Sequence, residues 1–140
     1  MPYSTLILLI AILIVGVFVF IAISSTGRRS HHRFDVEDYQ TRFLKIENSL
    51  TRDNKLSYNA AVIEADKLLD RALMELGVPG KTMGERLKAS STRFTQLNSV
   101  WYAHKQRNQI AHEQDFNLEY NQAKHALASF RQALKDLGAI

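Results

Sequence analysis

The stretch HKQRNQIAH, residues 104 to 112, interrupts the apolar side of a helix with polar and titratable side chains. It follows SVWY, residues 99 to 102, which holds the single tryptophan of the chain. When the helix is projected at about 100° per residue, the apolar side that begins at Leu97 continues as a polar, basic side. Buried without partners, such groups would cost several kcal/mol, so they must be paired, hydrated, or turned towards a cleft or a second subunit. The polar side consists of His104, Arg107, Asn108 and His112.

The helix that carries this stretch is predicted to run from Phe94 to His112, and its other faces can also be assigned. Trp101 falls on the apolar side, whereas the opposite, solvent-facing side is predicted to carry Asn98, Tyr102, Lys105, Gln106, Gln109 and Glu113. An internal arrangement is an open alternative. His104 would then be a core histidine bonded to a carbonyl, and Arg107 would pair with Glu64, Asp66 or Asp70 of an earlier helix.

No metal site is expected on the polar side. His104 and His112 lie two turns apart, ~12 Å along the helix axis, so they cannot share one ion. His31 and His32 are interpreted as solvated linker residues, and His125 as a surface residue. We therefore predict neither a metal nor an organic cofactor.

Four more helices are predicted between residues 35 and 140. Apolar residues at spacings of three and four, together with capping and stop signals, place their ends. Residues 78 to 85, VPGKTMGE, lack the upstream glycine and the preceding strand of a phosphate-binding loop and are predicted to be a turn. The class is all-α, a four-to-five-helix up-and-down bundle. Asp35 is predicted to cap the first helix, and the second covers Ser57 to Leu76 with Ala60 among its inward residues. Thr82 and Glu85 are predicted to form a capping box for the third helix. Asn117 is predicted to cap the last helix, which ends at Gly138.

Residues 1 to 26 are predicted to be a transmembrane anchor. Leu6 to Ile23 is an unbroken run of 18 apolar residues. It covers ~27 Å as a helix, close to the roughly 30 Å of a bilayer core. A cleaved signal peptide is the alternative, with AIS at residues 22 to 24 as its cleavage site. The preferred interpretation is a single-pass protein of the cell membrane.

Residues 27 to 34 are predicted to be a basic juxtamembrane tether. Arg28, Arg29 and Arg33 follow the apolar run, and no charged residue precedes it. This asymmetry places the N-terminus outside and the C-terminal domain in the cytoplasm. The same arginines are expected to contact anionic membrane lipid.

The overall basic charge does not indicate a polybasic nucleic-acid binder. Three of the 18 Lys and Arg residues lie before residue 34, and the remaining 15 against 14 Asp and Glu leave a net charge of +1. Residues 34 to 140 also show no surface of interleaved aromatic and basic residues of the kind that single-strand binders use. The absence of cysteine excludes disulfides and thiolate sites.

The motif RNQIAH, residues 107 to 112, resembles the signature of the HEPN superfamily of small helical domains. That signature is an arginine, commonly followed by a polar residue such as asparagine, with histidine four to six residues further on. Arg107, Asn108 and His112 match it, and Ala111 precedes the histidine as in many members. The resemblance covers residues 35 to 138, with the motif before the last helix.

The resemblance implies a homodimer with opposed motifs and a metal-independent ribonuclease at a composite site. Arg107, Asn108 and His112 would be catalytic, and we add His104 as a residue that binds substrate. His112 has the chemistry of a general acid or base, and Arg107 the donors to stabilise a phosphorane. Two alternatives stay open. The domain is a non-catalytic helical dimer that binds a nucleotide or an unknown protein partner, or it is a scaffold whose polar stripe is satisfied internally.

Overall fold

Residues 3–26 and 34–140 are those that the structure, a computed structural model, describes, and within them every regular element is helical. The prediction of an all-helical chain is therefore confirmed. The chain divides into two compact units, one ending at His31 and the other beginning at His32. The elements are α1 (Tyr3–Thr26), α2 (Val36–Ser49), α3 (Lys55–Glu75), α4 (Met83–Ala89), a short 3-10 helix (Ser91–Arg93), α5 (Leu97–His112) and α6 (Tyr120–Leu137).

The first unit is built on α1. Its segment Tyr3–Phe20 is long and apolar enough to cross a membrane, and none of it is buried within the protein. The same length and composition suit a signal sequence. The predicted tether residues Arg28, Arg29 and Arg33, with His31 and His32, lie outside the described residues.

The second unit packs around α3. This helix contacts α2, α4, α5 and α6, and α5 also packs on α6. The apolar stripes meet in one core, where each fully buried large side chain contributes about 1.5–3 kcal/mol. Its largest members are Tyr39, Phe43, Leu69, Leu73, Leu87, Leu118, Phe130 and Leu134.

Phe34, assigned to the tether, is buried and packs edge-to-face on Tyr39 with 5.3 Å between ring centroids. One prediction about burial in this unit was wrong. Ala60, assigned to the inward face of α3, is exposed, whereas Ala61 and Val62 are buried. Leu68, Leu69, Ala72 and Leu73 are buried as predicted, and the buried face of α3 is broad because this helix contacts α2, α4, α5 and α6.

The first two caps follow the sequence signals closely. Asp35 accepts a hydrogen bond from the Asp38 N–H at 3.0 Å and begins α2, as predicted. Asn54 caps α3, which starts two residues before the predicted Ser57. Gly77 has a φ of 69° after the end of α3, so the left-handed stop is confirmed.

The predicted capping box of α4 is only half formed. Thr82 accepts from the Glu85 N–H at 3.2 Å, as predicted. The Glu85 carboxylate, however, accepts from the N–H of Lys81 at 2.6 Å instead of that of Thr82. Glu85 therefore stabilises the turn that precedes α4, and this turn carries Lys81.

The start of α6 corrects a further prediction. Glu119, not Asn117, is the cap, and the Gln122 side chain accepts from the Glu119 N–H at 2.9 Å. Leu118 is buried, so the chain must run into the core before the helix begins. The predicted end at Gly138 is confirmed by its φ of 77°.

The helix that carries the motif begins later than predicted, at Leu97 instead of Phe94. Phe94 is buried in an extended conformation after the 3-10 helix. Asp136 of α6 accepts from the Thr95 N–H at 2.8 Å and from the Thr95 hydroxyl at 2.9 Å. These contacts engage the Thr95 backbone N–H, which lies within the predicted helix, and they attach the segment before α5 to α6.

Candidate functional site

The four residues singled out in α5 all line one cleft of about 670 Å³. The cleft lies between α3, the turn and first residues of α4, and α5. Side chains that are 38 residues apart in sequence therefore meet at one place. Besides His104, Arg107, Asn108 and His112, its lining includes Asp66, Lys67 and Asp70 from α3, Lys81, Thr82, Met83, Gly84 and Arg86 from the turn and α4, and Trp101 from α5.

His104 lies at the base of the cleft and is only 7% exposed. Its Nδ1 lies 2.8 Å from Oδ1 of Asp66, which is 3% exposed. Its Nε2 lies 3.2 Å from Nδ2 of Asn108, one turn further along α5. Both ring nitrogens thus have partners within the protein.

Arg107 and Asn108 close a ring of four side chains with His104 and Asp66. Arg107 Nη1 donates to the Asn108 amide oxygen at 3.2 Å. Arg107 Nε lies 3.4 Å from Oδ2 of Asp66, an ion pair whose geometry is not that of a hydrogen bond. The Arg107 side chain keeps 31% of its surface exposed. A guanidinium oriented by Asn108 and Asp66, yet open on one side, has the geometry to receive an anion.

The contacts among these four side chains also indicate the tautomer of His104. Because the Asn108 oxygen accepts from Arg107, the Asn108 amide nitrogen is the atom that donates to Nε2 of His104. The imidazole proton is then on Nδ1, where it is donated to Asp66. A buried imidazole bonded at both nitrogens avoids the cost of burying an isolated polar group.

His112 differs from His104 although both lie on the same stripe. It is the last residue of α5, its side chain is exposed, and it lines the same cleft. Within residues 3–26 and 34–140 no hydrogen bond or ion pair of its imidazole is found. Its ring nitrogens are available to a bound molecule.

A partly buried ion pair supports the wall of the cleft that α4 provides. Arg86 donates to both carboxylate oxygens of Asp70, with Nε–Oδ1 2.6 Å and Nη2–Oδ2 2.9 Å, and to the Gly80 carbonyl at 2.6 Å. The hydrogen bonds to Asp70 raise the pKa of Arg86, outweighing the effect of burial. The pair fixes the turn that presents Lys81 to the cleft.

The charges that line the cleft leave it basic. Arg86 is neutralised by Asp70, and Asp66 is shared by His104 and Arg107. Lys67 has an exposed partner, Glu64 at 2.9 Å, and such surface pairs are weak. Lys81 makes no ion pair within the described part of the chain, so it and Arg107 are the cations best placed to meet an anion.

Two assignments made from the helix projection were wrong. Gln106 was predicted to face solvent but is buried. Trp101 was placed on the apolar side, yet it is 36% exposed and lines the cleft with Lys67, Lys81 and Arg107. Trp101 therefore shares a cleft with basic side chains, which the sequence did not predict, because Lys67 comes from α3 and Lys81 from the turn before α4.

Sequence reasoning offered Asp66 and Asp70 only among three possible partners for Arg107 and attached no role to Arg86. A signal for Asp66 was nevertheless present. It lies on the stripe formed by Val62, Leu69 and Leu73, at helical spacings of three and four. A carboxylate on such a stripe must be buried and paired.

No family model, curated protein or solved structure matches the chain.

Proposed function

We propose that this chain is a membrane-tethered HEPN-like domain, an up-and-down helical bundle that acts as a homodimeric, metal-independent endoribonuclease. The observation that carries the proposal is the position of His112. Its imidazole is exposed in the cleft that also holds Arg107 and Asn108. An accessible acid or base beside an oriented guanidinium is what phosphodiester cleavage requires.

The chemistry is an internal transesterification of RNA. The ribose 2′-oxygen bonds to phosphorus while the bond to the 5′-oxygen breaks, giving a 2′,3′-cyclic phosphate and a 5′-hydroxyl. A base removes the 2′-hydroxyl proton and an acid returns one to the leaving oxygen, roles that an imidazole can fill in either state. Arg107 stabilises the charge on the phosphorane with its paired donors, and Asn108 orients Arg107.

Two protomers supply the two proton-transfer groups. His104 has both nitrogens engaged by Asp66 and Asn108, so within one protomer His112 is the motif imidazole open to a ligand. His112 of each copy then serves as base or acid at a composite site. In this scheme His104 is a positioning residue that holds Asn108, in place of the direct substrate contact expected from its position on the stripe.

The helix α1 tethers the domain to the cell membrane in the proposed arrangement. Its length and apolar surface support a single-pass anchor. The arginines that follow the apolar run in sequence favour an N-terminus outside and a domain in the cytoplasm. Arg28, Arg29 and Arg33 would contact anionic headgroups. Substrate is then cleaved close to the membrane surface.

The test is cleavage of RNA by the full-length chain in detergent, with a chelator present. Wild type is expected to produce 2′,3′-cyclic phosphate ends, and His112→Ala to lose at least about a hundredfold of the rate. His125→Ala is the matched control, since His125 is exposed on α6 and contacts Tyr102, away from the cleft. A wild type no faster than His112→Ala removes the ribonuclease proposal.

A non-catalytic dimer that binds a nucleotide or a protein partner is the second candidate. The engagement of both His104 nitrogens favours it, because the cleft of one protomer then offers His112 as its free imidazole and cleavage depends on a second copy for the other. It predicts that Arg107→Ala weakens ligand binding or dimerisation while wild type cuts no RNA. Analytical ultracentrifugation with and without a nucleotide distinguishes these effects.

A further inference from the structure

We propose that Trp101 is a stacking platform for an unpaired nucleobase, so that the cleft selects single-stranded RNA over duplex. The inference rests on the proposed function, which needs a phosphodiester in the cleft, and adds the feature of the substrate that is recognised. No part of the HEPN-like motif includes Trp101, which precedes it by six residues.

The exposure of Trp101 is unusual for its surroundings. Its neighbours on α5, Val100 and Ala103, are fully buried, while the indole remains 36% exposed. Other large apolar side chains of the second unit are also exposed, namely Val36, Leu44, Leu56 and Met74, but none of these lines the cleft. An indole left accessible beside cations is a surface suited to an aromatic ligand.

The indole is held in place by its contacts. At Gly84 an added Cβ would lie 3.9 Å from two carbons of the six-membered ring, so the backbone of α4 lies beside the indole. The His104 ring packs on it edge-to-face, with centroids 6.1 Å apart and planes at 70°. Since His104 is itself fixed by Asp66, the platform is preorganised and loses little side-chain entropy when a base binds.

Cations for the phosphate line the same cleft. Lys81 and Arg107 supply positive charge within the space that Trp101 borders. A cationic groove combined with an aromatic side chain on which a base stacks is the usual means of binding single strands without sequence preference. Bases within a duplex are already stacked on one another, so a duplex offers the phosphate contacts but no free base for Trp101.

The test uses the full-length chain in detergent and a short fluorescein-labelled 2′-O-methyl oligoadenylate, which lacks the 2′-hydroxyl and is not cleaved. Anisotropy measures its affinity alone and after annealing to its complement. Trp101→Leu keeps apolar volume against Gly84 but removes the aromatic face, and Trp101→Phe retains an aromatic ring. We expect Leu to weaken single-strand binding about tenfold, Phe to stay within about threefold of wild type, and duplex to bind about tenfold more weakly.

Intrinsic fluorescence gives an independent readout, because Trp101 is the single tryptophan of the chain. Unlabelled oligoadenylate is expected to quench its emission on stacking. Ribose 5-phosphate, which carries a phosphate without a base, is expected to bind without comparable quenching.

The outcomes separate this inference from the proposed function. If Trp101→Leu binds single strands as wild type does while Arg107→Ala does not, the phosphate site stands and the stacking platform is rejected. If single strand and duplex bind equally well, selection for an unpaired base is rejected. If wild type binds no oligonucleotide, the proposed function fails and the stacking inference with it.

Discussion

The imidazole Nδ1 of His104 lies 2.8 Å from the carboxylate Oδ1 of Asp66, joining α5 to α3 across the base of the cleft. Both side chains are buried, and each has a further partner, since His104 also contacts Asn108 and Asp66 also contacts Arg107. The contact therefore fixes two helices and orients two motif residues at once. In the proposed function, the residues that act on substrate are thus held by residues that do not touch it.

Asp66→Ala is expected to lower the free energy of unfolding by about 3 kcal/mol. The substitution leaves the His104 Nδ1–H without its buried acceptor and the Arg107 guanidinium without its ion-pair partner. Chemical denaturation of the full-length chain in detergent, followed by circular dichroism, measures the change. Asp66→Asn, which keeps an acceptor oxygen, is expected to lose less.

Glu64→Ala is the matched control for Asp66→Ala on the same helix. Its exposed pair with Lys67 should contribute below about 1 kcal/mol. Equal losses for Asp66→Ala and Glu64→Ala would mean that the buried contact does not hold α3 to α5.

Gly80→Ala is expected to destabilise the fold by about 1–3 kcal/mol. Gly80 has a φ of 149°, and an added Cβ would lie 2.9 Å from the Arg86 backbone nitrogen and 3.0 Å from Glu85 Cβ. Backbone atoms cannot move aside as a flexible side chain does, so the turn carrying Lys81 must shift. Thermal unfolding and oligonucleotide affinity are both expected to fall.

Gly84→Ala is the contrasting substitution. The nearest atoms to its added Cβ are 3.8 Å away, an ordinary contact, and the residue is helical. Stability is expected to stay within about 1 kcal/mol of wild type. A loss as large as that of Gly80→Ala would show that close backbone approach at residue 80 is not the cause.

Asp136→Asn is expected to reduce stability by about 1 kcal/mol at pH 7, with the difference shrinking in acid. Partial burial raises the pKa of Asp136, but hydrogen bonds from the Thr95 N–H, Gln132 and the Thr95 hydroxyl outweigh it and lower the pKa overall. The folded protein then binds fewer protons than the unfolded chain as pH falls below about 4, so the stabilisation is present above that pH and lost below it. Urea unfolding of both proteins from pH 7 to 3 checks this; a difference that stays constant across the range contradicts it.

Lys81→Met is expected to weaken oligoadenylate binding and to make it less dependent on salt. Each phosphate neutralised on a single strand contributes a slope of about 0.7 in a plot of log affinity against log salt. Losing one contact should reduce the slope by about that amount. Lys124→Met is the control, because Lys124 lies over the Tyr120 ring on α6, outside the cleft; an equal change in both variants would contradict a specific contact at Lys81.

The helical architecture followed from local signals. Caps such as Asp35 and Thr82 and left-handed glycines such as Gly77 act within a few residues, so spacing alone predicted them. The predicted cap at Asn117 was wrong because Leu118 is buried, and its burial depends on helices that are distant in sequence. Helix ends that are decided by tertiary contacts cannot be derived from local pattern.

By itself the sequence determined that the chain is helical, that an apolar run precedes a separate helical unit, and that the apolar side of α5 becomes polar at His104. Only the tertiary structure decided that the Asp66 carboxylate bonds to the His104 imidazole, that Trp101 is exposed in a cleft lined by cations, and that His112 is accessible while His104 is not. The reason is physical. The periodicity of the sequence predicts which residues share a side of one helix. The burial of a side chain and its hydrogen-bond or ion-pair partners depend on which neighbouring helix covers each turn.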